Sequence, residues 1–477
     1  MGFAPQRGVR VIFSPLPLIA LPLIAAVLTA LLRRWGSFSA LIAALFPAAA
    51  ALIAILYPLN SPLPFLGRDL YLTTPDRYAL IYLYLVASAT FLGVWRTTAR
   101  WTYYPVALAA LASIAAALGA RPIIVEVVGG RPFDPFNYAV LLFAIGAVLT
   151  IFPLQGGQPG VTVGMLRYLT FIVIGVPVFL ASAWILDQYS QSPDAVNLAQ
   201  TATALLLFGL LLWLAVVPFH SWLPGVASES PPLSSAFVLG IVNVAAFFLM
   251  LDLVSGIRLL NENPLVFDVL RLAGVITALV GGALAFAQRD FGRIMGYAVL
   301  ADIGVALVAY GTHTTAGLSA ALFVIFLRTF GLGLMSMGLA LARTEAPDDT
   351  FVSLTSLAWR RPWAAVGLIV GAFSLAGVPP LAGFAGRWGA LQQAAGSDLG
   401  TSLALVLSSI GVVAGMLRGL QYILRPIDDP NIQPARESTL TIALIVGALV
   451  LCVIFGLFPD LLSPVIRHMT ASYVIVP

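Results

Sequence analysis

Apolar runs of about 18–25 residues recur along the whole chain, separated by short polar connections. Each run is long enough to cross a bilayer as a helix. The pattern predicts about fourteen spans: 12–32, 38–58, 78–95, 102–119, 137–153, 165–186, 200–217, 232–253, 270–287, 294–311, 316–342, 363–391, 400–423 and 439–458. The longer connections, 59–76, 187–199, 344–361 and 424–438, are rich in Pro, Asp, Ser and Arg, as loops between periodic segments are. Two segments break the helical pattern. They are Ala215-Val-Val-Pro-Phe-His-Ser-Trp-Leu-Pro224 and Ser374-Leu-Ala-Gly-Val-Pro-Pro-Leu-Ala-Gly-Phe384. Pro218, Pro224, Pro379 and Pro380 remove backbone donors and clash with the preceding turn. In hydrocarbon the freed carbonyls need protein or water as partners.

The breaks fall in about spans 7 and 12. Interrupted spans at corresponding places in two halves point to an inverted-repeat transporter. The expected fold is therefore an all-α polytopic membrane protein of about fourteen transmembrane helices, with two inverted five-helix repeats and broken helices 7 and 12. The expected units are 1–100 (spans 1–3), 101–255 (first repeat), 265–425 (second repeat) and 426–477 (the last span). The repeat is inferred from layout, since the halves share no strong residue-level similarity.

Composition narrows the class. Hydrophobic residues make up 60% and charged residues 9%, far from the soluble range. The partner this implies is the lipid bilayer. Arginines flank the first run, which lacks a small-residue cleavage site, so it is expected to stay as a span. The net charge of +4 reflects arginines near the membrane and does not suggest nucleic-acid binding. The single cysteine, Cys452, excludes an internal disulfide and a cysteine metal cluster. No metal site is expected. Loops after odd-numbered spans hold thirteen arginines (Arg96, Arg100, Arg167 and Arg436 among them) against nine on the opposite face. This bias predicts both termini on the outer side. Trp95, Trp101, Tyr103, Tyr104, Trp359 and Trp363 lie near span ends and suggest an interfacial belt.

All 24 basic residues are arginine. One lies in mid-span, Arg328, and so does one acid, Asp302. Asp302 is nine residues beyond Arg293, hence about 13–14 Å along its helix. Each such charge costs about 2.5–3.5 kcal/mol on insertion scales, so none should face lipid. Asp302 and Arg328 lie at comparable depth on consecutive spans. The expectation is an Asp302–Arg328 ion pair, either proton-carrying or static. His220, in the first break, either moves protons at near-neutral pH or satisfies carbonyls freed by Pro218 and Pro224. Glu229 is expected in solvent and Asp252 at the interface.

Pro218-Phe-His-Ser-Trp-Leu-Pro224, followed by Ser230-Pro-Pro-Leu-Ser-Ser-Ala236, resembles the signature of the antiporter-like subunits of respiratory complex I, the NADH–quinone oxidoreductase. Gln288-Arg-Asp-Phe-Gly-Arg-Ile-Met-Gly-Tyr297, the Ser374–Pro380 segment with Gly383-Phe-Ala-Gly-Arg387, and Met165-Leu-Arg-Tyr168 resemble further family segments in the same order. The likeness covers about residues 130–425 and is strongest to subunits of the N or M type. It implies a subunit in redox-driven proton translocation, in a bacterial plasma membrane or equivalent energy-transducing membrane, with Arg387 at the outlet position where the family has a lysine or a glutamate. Its partners would be other membrane-arm subunits. The chain has no phosphate loop, haem motif or nucleophile triad, so no cofactor is expected in it. NADH or ferredoxin, flavin, iron–sulfur clusters and quinone would belong to partner subunits. The family also includes subunits of hydrogenases, cation/proton antiporters and inorganic-carbon uptake complexes.

The chain departs from the family at specific positions. Trp213 and Asn243 stand where the family has buried lysines, and Phe143 or Ala144 where it has a glutamate. Gly225 and Gly292 replace an acid and a further lysine. None of these became arginine, so codon bias does not explain them. Tryptophan and asparagine cannot titrate, and arginine holds its proton too tightly to relay it. Two readings follow: pumping kept mainly in the second half, or a proton-silent structural subunit.

Overall fold

The computed structural model describes residues 15–57, 63–65, 68–70, 72–95, 102–119, 137–156, 162–191, 195–426 and 437–473. Arg96, Arg100, Trp101 and Arg436 lie outside them.

The helices in chain order are α1 Leu16–Leu31, α2 Gly36–Leu56, α3 Thr74–Val94, α4 Tyr103–Gly119, α5 Asn137–Leu149, α6 Ile151–Gln155 and α7 Val163–Gln191. Then come α8 Val196–Trp213, α9 Trp222–Glu229, α10 Pro232–Phe237, α11 Asn243–Gly256, α12 Arg258–Asn261, α13 Pro264–Ala287 and α14 Phe291–Tyr310. The last are α15 Thr315–Ala342, α16 Leu357–Arg360, α17 Pro362–Leu375, α18 Ala382–Ser397, α19 Leu399–Ile423, α20 Thr439–Leu457 and α21 Ser463–Thr470. A short antiparallel hairpin, β1 Leu63–Phe65 with β2 Arg68–Leu70, pairs Leu63 with Leu70. Among the described residues, 11 helices are long and apolar enough to span a membrane, and α1, α4 and α17 are shorter apolar helices. The chain is an integral membrane protein of helices.

Polar residues set the helix starts. Thr73 and Asp76 form a capping box on α3. Asp290 caps α14 and Asp398 caps α19 by accepting backbone N–H groups. Burial then sorts the spans. The Pro232–Gly256 span is 94% buried and Phe291–Tyr310 89%, against 17% for Thr439–Leu457. The mid-span charges Asp302 and Arg328 therefore sit on the helices that other helices surround.

The aromatic belt is corrected in part. Tyr103 and Tyr104 are buried and pack edge-on against Phe91, so they belong to the core. Position near a span end fixes depth, not which way a ring faces. Trp359 is exposed, as a belt residue should be.

The two breaks are local departures from helix. The first runs from the end of α8 to α9, with a cis Val217–Pro218 bond and a single 3-10 turn at Phe219–Ser221. The second separates α17 from α18, with a cis Pro379–Pro380 bond. Gly377 there has φ +77°, and a Cβ on it would lie 2.5 Å from Arg387 Cδ. Glycine supplies both the left-handed backbone and the room for that side chain.

Candidate functional site

Pro379 has no N–H, so the carbonyl of Leu375, four residues earlier, loses its helical donor. Arg387, one and a half turns into α18, reaches back and donates Nη2 to that carbonyl at 2.9 Å. Its Nε donates to Asp302 Oδ1 at 2.9 Å and its Nη1 to Ser409 Oγ at 2.9 Å. Nη2 also lies 2.8 Å from Asp302 Oδ1, with the side chains only 7% and 3% exposed. The guanidinium thus closes the helix break and neutralises the mid-span carboxylate together. The apolar cavity beside it, about 500 Å³, is lined by Val305, Val378, Trp388 and Val413 with Arg387 and Ser409.

The expected Asp302–Arg328 pair is corrected. Asp302 bonds to Arg387, and Arg328 bonds to residues of the 238–243 segment instead. Arg328 Nη2 donates to Asn243 Oδ1 at 2.7 Å and to the Leu239 carbonyl at 3.3 Å. Both arginines are at suitable depth; rotation of α15 about its axis decides between them. Leu239 is available because α10 and α11 are joined by a π-type turn, Val238–Val242, in which the Asn243 N–H bonds to Val238 O. The Leu239 carbonyl, normally the acceptor for that N–H, is left for Arg328. Such turns frequently mark functional sites.

In the first half, Trp213 and Phe143 meet, with ring centroids 4.6 Å apart, and Phe179 also packs against the indole at 4.5 Å. Trp213 Nε1 donates to the Ile172 carbonyl at 3.2 Å. A Cβ on Gly175 would come within 2.1 Å of that nitrogen, so α7 approaches the indole only with glycine there. Ser374 stands five residues before Pro379, as Trp213 stands five before Pro218. Ser374 Oγ accepts from Gly383 N and from Cys452 Sγ, each at 3.3 Å.

His220 is half-buried, with Nδ1 buried and without a hydrogen-bond partner; its ring centroid lies 6.4 Å from that of Tyr297. Val217 N donates to Thr277 Oγ1 at 3.2 Å, which ties the first break to α13. Glu229 is exposed, as expected, and also accepts from Gly164 N at 2.8 Å. Asp252 accepts from Tyr473 Oη at 3.2 Å. Arg167 is exposed.

One cluster was missed. Arg343, just after α15, holds Asp349 through Nη2 and Nε, and donates to the carbonyls of Ser228 and Ser230 at 2.6 and 2.7 Å. It pins the end of α9 to the 343–356 loop. The Asp349 carboxyl is fully buried at the side chain, and burial pushes it above the usual carboxylate range despite Arg343. The acidic Asp348-Asp349 pair was the available signal, but nothing in the sequence pointed it at α9. Among the described residues, no three His, Cys, Asp or Glu side chains group as metal ligands.

A buried charge pair at a helix break, with its carboxylate on a span that is 89% buried, defines a polytopic membrane protein with an intramembrane polar axis. Residues 186–413 match the family described as NADH:quinone oxidoreductase/Mrp antiporter, TM. Over that stretch the chain is similar to this antiporter-like family. It is 33% identical over 281 residues to NADH-quinone oxidoreductase subunit N of Deinococcus radiodurans, covering 56% of this chain and 55% of that one. It is 26% identical over 307 residues to hydrogenase-4 component B of Escherichia coli, covering 59% and 46%. The chain thus spans about half the length of the curated relatives it matches. The fold resembles a chain of the membrane-bound sulfane sulfur reductase, an archaeal respiratory membrane complex (TM-score 0.82, 17% identity, 96% and 97% covered). It also resembles a chain of respiratory complex I from Thermus thermophilus (TM-score 0.70, 22% identity, 94% and 98% covered).

Proposed function

We propose that this chain is an antiporter-like membrane-arm subunit of a complex I-type NADH–quinone oxidoreductase, most similar to subunit N, that contributes to redox-driven proton translocation through its second half. The observation that carries this reading is the buried Asp302–Arg387 pair at the break between α17 and α18. Asp302 is the proton carrier: it takes up a proton when its bridge to Arg387 opens and releases it when the bridge reforms. Ser409 and the Leu375 carbonyl hold the guanidinium as the bridge opens. Arg387 and Arg328 act as fixed charges, and His220 offers a proton-exchanging group in the first break. NADH or ferredoxin, flavin, iron–sulfur clusters and quinone belong to partner subunits, as do the other membrane-arm contacts. The units are 1–100, 101–255, 265–425 and 426–477, with the two middle ones as inverted repeats; the matched spacing of Trp213–Pro218 and Ser374–Pro379 supports this. The termini face outward from a bacterial plasma membrane or its equivalent.

A second reading, a proton-silent subunit of the same complex, is favoured by one observation. Trp213 stands at a family lysine position and Phe143 or Ala144 at the glutamate position, and Trp213 and Phe143 form an apolar aromatic contact instead of an ion pair. A third reading, a subunit of an inorganic-carbon uptake or cation/proton antiporter complex, draws on the likeness to the Mrp complex from Dietzia (TM-score 0.80, 16% identity). Asp302→Asn in the native assembly separates the first two. Proton translocation through the second half predicts a lower proton/electron ratio in an intact complex; an unchanged ratio supports the silent reading. Partners recovered with the native assembly decide the third, since redox subunits are expected only for the first two.

A further inference from the structure

We infer that Arg328 and Asn243 form an intramembrane binding site for a small monovalent anion. The guanidinium is 1% exposed, and its Nε and Nη1 have no hydrogen-bond partner. The Asn243 amide nitrogen, whose oxygen Arg328 already uses, has none either. All three unpartnered atoms are donors. Water can accept from donors, but it leaves the charge uncompensated. An arginine in a protein keeps its proton, so deprotonation does not relieve the site.

The charge count around it does not close. Asp302 is within electrostatic reach of Arg328, yet its carboxylate is bridged to Arg387. Two guanidiniums thus share one carboxylate among the buried mid-span groups. A partner subunit's acid or a lipid phosphate cannot supply the missing charge, because Arg328 is enclosed on all sides. What remains is a solute small enough to enter with a few waters. Chloride has the charge and accepts several N–H donors at once. Tyr82 Oη pairs with Thr329 Oγ1 on the next residue of α15, within electrostatic reach of the guanidinium. The anion site is independent of which complex the chain joins. It would hold the electrostatic field at Asp302 constant where the family has a titrating lysine at the Asn243 position.

The test uses the full chain in lipid nanodiscs. Chloride replaces gluconate, which is too large to enter, at fixed ionic strength, and the thermal midpoint is read by tryptophan fluorescence. A ligand that binds only the folded state raises the midpoint saturably. The expected result is a saturable rise for wild type, no rise for Arg328→Gln, and at least a tenfold weaker chloride dependence for Asn243→Leu. A flat wild-type response, meaning water alone fills the site, overturns the proposal. So does a full rise in Arg328→Gln. If Arg328→Gln does not fold, an unchanged chloride dependence in Asn243→Leu overturns it equally.

Discussion

Replacing Asp302 by leucine leaves Arg387 buried without its carboxylate. At the observed 2.8 Å, two unit charges attract by about 6 kcal/mol in a medium of effective dielectric near 20. Desolvation offsets much of this, so a buried pair is weak evidence of net stability, but removing one partner costs about 3–5 kcal/mol. Arg387→Met should cost a similar amount, with a further loss because the Leu375 carbonyl and Ser409 lose their donor. That further loss occurs in both the single Arg387 variant and the double variant, so a double-mutant cycle cancels it. The double variant Asp302→Leu/Arg387→Met should therefore be about 3 kcal/mol more stable than the sum of the singles predicts. The assay is reversible unfolding in mixed lipid–detergent micelles. Coupling below about 0.5 kcal/mol would mean that the two groups do not act as a pair, and would refute the assignment of Arg387 over Arg328. The cycle Asp302/Arg328 is the internal control and should show clearly smaller coupling, because no bond joins those side chains.

Other expectations follow from the same structure. Trp213→Ala should destabilise by about 3–5 kcal/mol through the cavity left between Phe143 and Phe179; a loss below about 1 kcal/mol would contradict the observed packing. Gly175→Ala should cost about 1–3 kcal/mol by overpacking against the indole, and adding Trp213→Phe should recover part of it; no recovery would place the strain elsewhere. Arg343→Met should cost about 3 kcal/mol, since it leaves Asp349 buried without its charge partner, and should raise protease sensitivity of the 343–356 loop; unchanged stability would dismiss the clamp. His313, in the loop between α14 and α15, stacks on Phe267 at 3.7 Å, and burial holds its pKa below the ordinary value. The unfolded imidazole then takes up its proton first, so stability is full above about pH 6.5 and declines as pH falls below it. Thermal midpoints at pH 7.5 and 5 should show this decline, and His313→Phe should remove part of it; equal declines in both proteins would exclude His313 as the source.

Hydropathy located the 11 span-length apolar helices found among the described residues, because crossing a bilayer demands a long apolar run whatever its neighbours are. Prolines located both breaks for a similarly local reason: a missing N–H disrupts its own turn. Rarity of mid-span charge singled out Asp302 and Arg328, and the motif likeness singled out Arg387, before any contact was visible. The tertiary structure alone decided which of these meet. Sequence gives depth along a helix, and by depth alone Arg328 was the partner available to Asp302. Choosing between Arg328 and Arg387 requires the rotation of α15 about its axis and the direction in which α18 restarts after Pro380, both set by interhelical packing. The same holds for Phe143 and Trp213, which are 70 residues apart in the chain and touch only because α5 and α8 both pack on α7. The unpartnered donors of Arg328 were equally invisible, since whether a buried charge is matched depends on every helix around it.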